Sequence, residues 1–393
     1  MTQRMPHRSA LHSSHSFRWL RLAPHLTLLL AILAVVAGCS DDPVAPITPD
    51  DALFNQAPNA SEVSYELVDL GTLGGDASFA LGLNNRGQVV GTSRTTGSPR
   101  PQIAFSWDRG TMESLGTLEG STFSRAFRAN NRGVAVGEAF TPGGESRAVV
   151  WENGALRELP PRSGFSSAVA NDVNDRGQVV GVSGGRAILW DEDEPRNLGA
   201  ISSSSEATSR GNAIAANGLI AGTAQTDLIS SFGSRVSHAF LWRNGRMIDL
   251  GALGQETNFS VAYGVNPRGE VVGESIITGN TYHAFRWRNG RLEDLHPEEL
   301  GLTHSRASDV NSSGQVVGWA SSFHNFPTFG AAAALLWTGD QAVNLNEVVA
   351  DAADWDLRAA TGINDGGQIV GYGLLDGQTR AFLLIPTQAN GQR

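Results

Sequence analysis

The sequence has 393 residues, of which 46 are glycine and only 17% are charged. A single compact core rarely grows beyond roughly 250 to 300 residues, so a chain of this length either holds two domains or repeats one unit. The glycine content and the low charge are typical of short strands joined by tight turns, and they argue against an architecture of long charged helices.

The charge balance argues against a polyanionic partner. All 29 basic residues are arginine, and four of them precede Cys39, the only cysteine. The chain beyond Cys39 therefore carries 25 basic against 39 acidic residues, a formal charge of −14. This excess of negative charge repels nucleic acid, and no cluster of arginines is dense enough to override it. A single cysteine also excludes a disulfide within the chain.

The first element in chain order is an apolar run of 11 residues at positions 26–36. A helix that spans a bilayer needs roughly 20 apolar residues, so the run is typical of a signal peptide instead. It ends in Val36-Ala37-Gly38-Cys39, which resembles the lipobox of bacterial lipoproteins. The resemblance implies a signal peptide over residues 1–38 and a lipid on Cys39 that holds the protein to a membrane. The alternatives are an ordinary signal peptide cut nearby and a buried, inert thiol.

Residues 39–61 follow as a segment rich in proline, aspartate and alanine without apolar periodicity. This composition is typical of an extended linker, and we predict a flexible tether between membrane and domain. Ser40 after the cysteine resembles the pattern of outer-membrane sorting, so the expected location is the cell envelope, at the outer membrane. Residues 388–393 are expected to form a disordered tail.

One unit recurs seven times from Tyr65 onward. Its clearest copy begins HAFLWRNGRMIDLGALG at His238 and continues SVAYGVNPRGEVVGES from Ser260. The glycine that ends the VVG-like segment recurs every 41 to 53 residues, at Gly91, Gly137, Gly181, Gly222, Gly273, Gly318 and Gly371. A repeat of this length is the mark of a repetitive architecture.

Each unit contains four short segments that we assign as strands a to d from their β-branched and aromatic content and their bounding turns. An Asn-x-x-Gly turn joins strands a and b in six units, and we assign these asparagines to turn chemistry rather than ligand binding. Strand c ends in tryptophan in six units, which we interpret as core between adjacent sheets rather than a stacking platform. The sequence therefore predicts an all-β, seven-bladed β-propeller over residues 62–387.

The ends of this region predict how the ring closes. Tyr65 to Leu70 matches strand d, whereas Ala381 to Ile385 matches strand c. The count of strands closes only if the N-terminal strand completes the seventh blade. Such pairing removes two exposed sheet edges, which are sites of aggregation.

The repeats also resemble the family of bacterial extracellular HAF repeats, named for the tripeptide found here at residues 238–240 and 283–285. The resemblance extends from Tyr65 to Pro386. It implies export and a repeat fold, and it brings no established activity or catalytic residues. Other units keep only part of the tripeptide, so its histidine is not a required ligand.

The loops on one face carry the candidate binding residues. The a–b and c–d turns are uniformly short, and every insertion falls in the b–c and d–a loops, where binding tends to be placed. Aromatic side chains there suit stacking on a sugar or a peptide, although they can instead pack the loop itself. The candidates are Trp319, Phe323, His324, Phe326, Phe329 and Trp355.

Arginine occupies one position of strand a, five residues before the turn, in blades two, four and six. These residues are Arg125, Arg210 and Arg306. Three guanidinium groups around one channel mouth suit a carboxylate or a phosphate; the alternative is that they pair with nearby acids or point into solvent.

No specific catalytic, cofactor-binding or metal-binding motif is present in the sequence. His296, His304 and His324 fall in loops of neighbouring units near Glu298 and Glu299, so an acid–base or metal site there is the minor alternative. We therefore predict a noncatalytic propeller that binds a glycan, a peptide or a protein at the cell envelope. The alternative is a propeller hydrolase or lyase with its site in the blade-six loops.

Overall fold

The computed structural model describes residues 63–97, 100–255, 257–324, 330–349 and 354–387. Within these residues, 28 strands form seven antiparallel sheets of four strands each. The predicted signal peptide, lipidated Cys39, tether and tail lie outside them. The described part of the chain contains no helix long and apolar enough to cross a bilayer.

Strands a to d of the first four blades follow one another along the chain. Blade 1 comprises β2 (Gly74–Leu83), β3 (Val89–Thr95), β4 (Gln102–Asp108) and β5 (Thr111–Gly116). Blade 2 comprises β6 (Ser124–Ala129), β7 (Ala135–Phe140), β8 (Ser146–Glu152) and β9 (Ala155–Glu158). Blade 3 comprises β10 (Ala168–Val173), β11 (Val179–Ser183), β12 (Arg186–Asp191) and β13 (Glu194–Asn197). Blade 4 comprises β14 (Ser209–Ile214), β15 (Ile220–Ile229), β16 (Arg235–Arg243) and β17 (Arg246–Asp249).

The last three blades include the closing strand and two short 3-10 turns. Blade 5 comprises β18 (Ser260–Val265), β19 (Val271–Thr278), β20 (Thr281–Arg288) and β21 (Arg291–Asp294). Blade 6 comprises β22 (His304–Val310), β23 (Val316–Ser321), β24 (Ala332–Thr338) and β25 (Gln341–Asn344). Blade 7 comprises β26 (Trp355–Ile363), β27 (Ile369–Leu375), β28 (Gln378–Thr387) and β1 (Ser64–Asp69). The 3-10 turns are Glu298–Leu300 and Leu345–Glu347.

The N-terminal strand closes the ring as predicted. Strand β1 pairs antiparallel with β28, in a register that places Tyr65 opposite Pro386 and Asp69 opposite Phe382. Tyr65 is 1% exposed, and burial raises the pKa of its phenol to about 12. The first and last strands of the propeller therefore share one sheet, and the fold is a closed, seven-bladed β-propeller.

The a–b turns confirm the assignment of their asparagines to structure. In the first turn, Asn84 Oδ1 accepts hydrogen bonds from the backbone N–H of Arg86 (3.0 Å) and Gln88 (3.1 Å). Gly87 takes a φ of +81°, which a side chain would oppose. The amide of Asn84 also donates to the backbone oxygen of Asn130 in the next blade, at 2.8 Å.

This last bond recurs around the axis and ties neighbouring blades together. Six side-chain amides donate to the corresponding carbonyl of the following blade, from Asn84, Asn130, Asn174, Asn266, Asn311 and Asn364. Blade 4 has Ala215 at this position, so the ring of asparagines is interrupted there.

Each interface between neighbouring blades encloses one hydrophobic cluster. The cluster between blades 5 and 6, for example, contains Val272, Leu335 and Trp337. Trp337 is 1% exposed, and its Nε1 donates to the backbone oxygen of Leu295 in the preceding blade at 2.9 Å. The equivalent Trp190 donates to the oxygen of Pro160 at 2.7 Å. The interpretation as core is confirmed for Trp107, Trp151, Trp190 and Trp337, whereas Trp242 and Trp287 are partly buried against their clusters.

The histidine of the HAF tripeptide has a structural partner. His238 Nδ1 lies 2.8 Å from a carboxylate oxygen of Asp249, and His283 Nδ1 lies 2.8 Å from Asp294. Both aspartates are the last residue of strand d, in the sequences D-L-G for Asp249 and D-L-H for Asp294. The histidine therefore joins strand c to the end of strand d within its own blade.

Candidate ligand-binding site

One extra residue in each strand a points into the central channel. The pairing of strands a and b shifts by one residue in all seven blades, for example between Ala262 and Gly264, which leaves Tyr263 unpaired. A bulge of this kind re-aims a side chain out of the regular alternation. The seven residues so placed line one cavity, and they are Leu81, Phe127, Asn171, Asn212, Tyr263, Ser308 and Thr361.

The cavity has a volume of about 540 Å³ and lies toward the face formed by the b–c and d–a loops, where strand a begins. Its lining does not repeat: the bulge residue is aliphatic, aromatic, amide or hydroxyl in different blades. The repeat thus builds a symmetric wall, whereas the side chains on it form an asymmetric site.

Arg128 forms the floor of this cavity. Its guanidinium donates to the backbone oxygen of Leu81 in blade 1 and lies 3.4 Å from that of Thr361 in blade 7. It also lies 3.6 Å from the carboxylate of Asp309 in blade 6. A second cavity, of about 180 Å³, lies at the a–b turns. On this strand its lining begins at Ala129, the residue after Arg128. Arg128 therefore lies between the two cavities.

Asp172 also lies at the level of this floor. Its two carboxylate oxygens each accept a backbone N–H at 2.8 Å, one from Val173 and one from Ile214. Burial raises the pKa of this carboxyl to about 6, although Arg128 and the two hydrogen bonds oppose that shift.

Two of the three predicted arginines pair with buried acids. Arg125 Nε donates to Glu138 at 3.0 Å. Arg306 binds Glu274 in a two-point contact, with distances of 2.8 and 3.0 Å from its Nε and its terminal nitrogen. Glu138 and Glu274 are 5% and 2% exposed. The alternative that the arginines pair with acids is therefore correct for these two.

Arg210 has a different environment. It donates to the side-chain oxygen of Asn171 at 3.0 Å. No carboxylate in the part of the chain that the structure describes lies within 4.0 Å of its guanidinium. The side chain lies inside the channel and is exposed to it. Arg210 and Arg306 both line the cavity.

Glu274 is the centre of the most extensive polar cluster at this mouth. It accepts a hydrogen bond from the Tyr263 hydroxyl at 2.8 Å and lies 3.2 Å from His324 Nε2. The Arg306 guanidinium stacks over the rings of Tyr263 and Trp319, at 4.6 and 5.1 Å. Burial alone would raise the pKa of Glu274, but Arg306 and the hydrogen bonds from His324 and Arg306 lower it to about 2. The carboxylate is therefore held ionised.

Two of the three loop histidines come together. The His324 ring stacks on Tyr282 with centroids 3.5 Å apart, and His304 lies 5.7 Å from His324. Burial and the neighbouring His324 lower the pKa of His304. His296 lies elsewhere, stacked on His283 at 3.9 Å and hydrogen-bonded to the Ser305 hydroxyl. His296 therefore lies outside the cluster that the minor alternative of an acid–base or metal site would require.

The aromatic loop is only partly what the sequence predicted. Trp319 lies in strand β23 and is 4% exposed, because the strand continues to Ser321 before the loop begins. Phe323 is 56% exposed. Trp355 starts β26 and is half-buried, edge-on to Phe382 at 6.3 Å. Phe326 and Phe329 lie outside the described residues. Trp319 is therefore a buried wall of the Arg306 site rather than an exposed stacking surface.

Three residues that complete the site were not predicted from the sequence, namely Tyr263, Glu274 and Tyr282. Two of them stand at positions where the units disagree with one another. Tyr263 is the bulge residue, and Glu274 directly follows the VVG glycine, where other units carry Thr92, Glu138, Val182, Thr223, Trp319 and Tyr372. Disagreement at a position that the repeat otherwise fixes was the available indication.

The fold and the channel define the class of this protein: a closed seven-bladed β-propeller with one asymmetric axial cavity. Its sequence matches no protein-family model and no curated protein. Among solved structures, it is similar to the β-propeller domain of the Trilobed protease from Pyrococcus furiosus, described as having an open velcro topology. The TM-score is 0.50 at 9% identity, over 84% of this chain and 96% of that one. At this identity, the likeness shows the fold alone.

Two further structures show weaker similarity. A puromycin-hydrolyzing peptidase of Mycobacterium tuberculosis gives a TM-score of 0.48 at 12% identity, over 85% of this chain and 54% of that chain. The protein YCF48, solved bound to D1 peptide, gives 0.47 at 13% identity, over 84% and 97%.

Proposed function

We propose that this protein is an exported, lipid-anchored and noncatalytic β-propeller that binds a ligand at the cell envelope. The observation that carries the binding role is the asymmetric cavity of about 540 Å³ on the b–c and d–a face. A concave site that combines apolar walls with a few fixed polar groups is the usual form of a ligand pocket. The ligand classes in view are glycans, peptides and proteins.

The scaffold suits recognition because the site is held rigidly. The polar groups of the cavity project from the innermost strands, and each of those strands is clamped by a hydrophobic cluster on both sides. Asn171 and Asn212 are further fixed by hydrogen bonds to Gly211 and Ala262 of the next blade, at 2.7 and 2.8 Å. Rigid groups lose little conformational entropy when a ligand binds.

The binding role is tested by filling the cavity. Ser308 is a bulge residue that lines it, so Ser308→Trp should block the cavity without touching a cluster between blades. Ser114→Trp, on an exposed position of β5, is the matched control. Detergent-solubilised full-length protein is applied to arrays of glycans and peptides. Wild type and Ser114→Trp should retain a common ligand that Ser308→Trp loses. Capture of no ligand by the wild type, or equal capture by all three proteins, contradicts the proposal.

The anchor is tested separately. Cys39→Ser should release the protein from membranes and leave the melting temperature of the propeller unchanged. Metabolic labelling with a fatty acid, followed by fractionation, gives the answer. A wild-type protein that is unlabelled and free of membranes would refute the anchor.

A second function, hydrolase or lyase, is favoured by one observation, the 3.2 Å contact between His324 and the ionised Glu274. A carboxylate that orients an imidazole is an element of general base catalysis. If the protein turns over any ligand found on the arrays, His324→Ala should abolish turnover while binding persists. Binding without turnover by the wild type supports the noncatalytic role.

A further inference from the structure

Arg210 differs from the two other channel arginines in the residue that faces it. Arg125 is paired across its sheet with Glu138, whereas Arg210 is paired with Thr223. Arg306 obtains Glu274 from the neighbouring blade. Three guanidinium groups thus lie at this level of the channel with two buried carboxylates. Among the described residues, Arg210 is the one of the three without a carboxylate within 4.0 Å.

The neighbours of Arg210 hold its guanidinium in place without neutralising it. The Asn171 amide donates to the Gly211 oxygen at 2.7 Å, so its own oxygen faces Arg210 and accepts one hydrogen bond. A guanidinium carries five N–H donors in a fixed fork. In the described part of the chain, this contact with Asn171 is the one hydrogen bond that Arg210 makes to protein.

The electrostatics of the two arginines differ in the same sense. Desolvation inside the channel lowers the pKa of Arg210, although Glu138 and Tyr263 oppose this effect. For Arg306, the effect of burial is outweighed by Tyr263 and Glu274, and its pKa is raised. A positive charge that is partly desolvated and lacks an acid partner attracts an anion more strongly than one in water.

The rest of the cavity indicates what carries that anion. Phe127 and Tyr263 line it with aromatic side chains, while Asn212 and Ser308 supply neutral polar groups. The Asn212 amide nitrogen donates to the Ala262 oxygen. Asn212 Oδ1 and the Ser308 hydroxyl make no hydrogen bond within the described part of the chain. Hydroxyl groups of a sugar suit such neutral acceptors and donors. The Arg128 floor closes the cavity at its inner end, which suits the end of a chain rather than its middle.

We propose that Arg210 binds the carboxylate of an acidic sugar at the end of a glycan, with the ring of that sugar between Phe127 and Tyr263. The inference rests on the proposed function, since it assigns the ligand class of that same cavity. Charge-assisted two-point hydrogen bonds of this kind contribute roughly 1.5 to 3 kcal/mol, or about 10- to 150-fold in affinity.

The test compares trisaccharides ending in glucuronic or galacturonic acid with the same trisaccharides after reduction of that carboxyl to an alcohol. Calorimetry on the detergent-solubilised full chain should show at least about 10-fold tighter binding of an acidic form. Arg210→Gln should remove this preference and leave binding of the reduced form unchanged. Arg109→Gln, whose side chain is 91% exposed, is the control and should keep the preference.

Equal binding of acidic and reduced sugars overturns the inference, as does a preference that survives in Arg210→Gln. It is also overturned by preferential binding of peptides through a free C-terminal carboxylate. In the last case, and in the case of a neutral glycan ligand lost by Ser308→Trp, the binding function stands and only the acidic-sugar assignment fails. Failure of every glycan and peptide to bind removes both.

Discussion

The two ends of the channel follow the repeat to different degrees. At the a–b end, six of the seven units place the same asparagine in the same contact with the next blade. At the b–c and d–a end, the bulge residue differs between all neighbouring units except blades 3 and 4, which carry Asn171 and Asn212. Positions that repeat therefore hold the ring together, whereas positions that break the repeat form the binding site. Substitutions at the repeated positions should lower stability, and substitutions at the positions that break the repeat should weaken binding.

The largest expected effect comes from the strand that closes the ring. Deletion of residues 62–70 uncovers the edge of β28 and removes Tyr65 and Leu70, which are 1% and 4% exposed. Burial of one large apolar side chain contributes roughly 1.5 to 3 kcal/mol, so the loss should reach about 5 kcal/mol or prevent folding. Deletion of residues 41–60 is the control and should leave the melting temperature unchanged. Equal melting temperatures for the two deletions would contradict the closed ring.

The next effect concerns the glycine that ends the VVG segment. A Cβ on Gly181 would lie 1.9 Å from the backbone oxygen of Val169 and 3.0 Å from the Trp190 ring. Gly181→Ala must therefore push strands a and b apart, at a cost of roughly 3 kcal/mol or more, within the range of severe core overpacking. A Cβ on Gly143 meets no atom closer than 3.6 Å, so Gly143→Ala should be nearly neutral. Chemical denaturation of both variants measures the difference, and equal stabilities would show that the contact relaxes.

The third prediction concerns the pH dependence of stability at the b–c and d–a end of the channel. The pKa of Glu274 is lowered in the folded protein from its ordinary 4.5 to about 2. Its ionised form therefore stabilises the fold fully above pH 4.5, and this contribution is lost as the pH falls toward 2. The contribution is roughly 3 kcal/mol, at about 1.4 kcal/mol per pKa unit.

Glu274→Gln should lower stability at pH 7 and remove this part of the acid sensitivity, which denaturation at a series of pH values between 2 and 7 would detect. A variant with the same acid dependence as the wild type would show that Glu274 is not held ionised by Arg306 and its other partners.

The smallest expected effect concerns the a–b end of the channel, where six units share an asparagine. Ala215 occupies the turn position of the six asparagines and makes the same backbone bonds, from Ala215 N to the Leu219 oxygen and from Gly218 N to the Ala215 oxygen. Ala215→Asn should therefore complete the ring of inter-blade hydrogen bonds and raise stability by roughly 1 kcal/mol. Asn364→Ala, the matched removal, should lower it by about as much or slightly more. A loss of stability in Ala215→Asn would mean that blade 4 has no room for the amide.

The sequence predicted what depends on local or counted features. The Asn-x-x-Gly turn is complete within four residues, so its conformation could be derived without the fold. The closure followed from counting strands, since one strand d stands alone at the N-terminal end. The tryptophans of strand c followed from their period.

The site was less predictable because its contacts join different blades. Arg306 was identified, but its partner Glu274 lies 32 residues earlier in another sheet. Tyr263 was overlooked because the bulge adds a residue that spacing alone does not reveal. Trp319 was misplaced because strand β23 extends two residues beyond it, and nothing in the local sequence marks that end.

The pairing of β1 with β28 also determines which contact of the ring can form last. Ser64 and Thr387 are 323 residues apart in sequence and adjacent in space. If the blades fold in chain order, six of the seven interfaces can form in succession, but β1 has no partner until β28 is in place. Until then it is an unpaired strand, which is open to pairing with another chain. Loss of only the last ten residues of the propeller would leave that condition permanent.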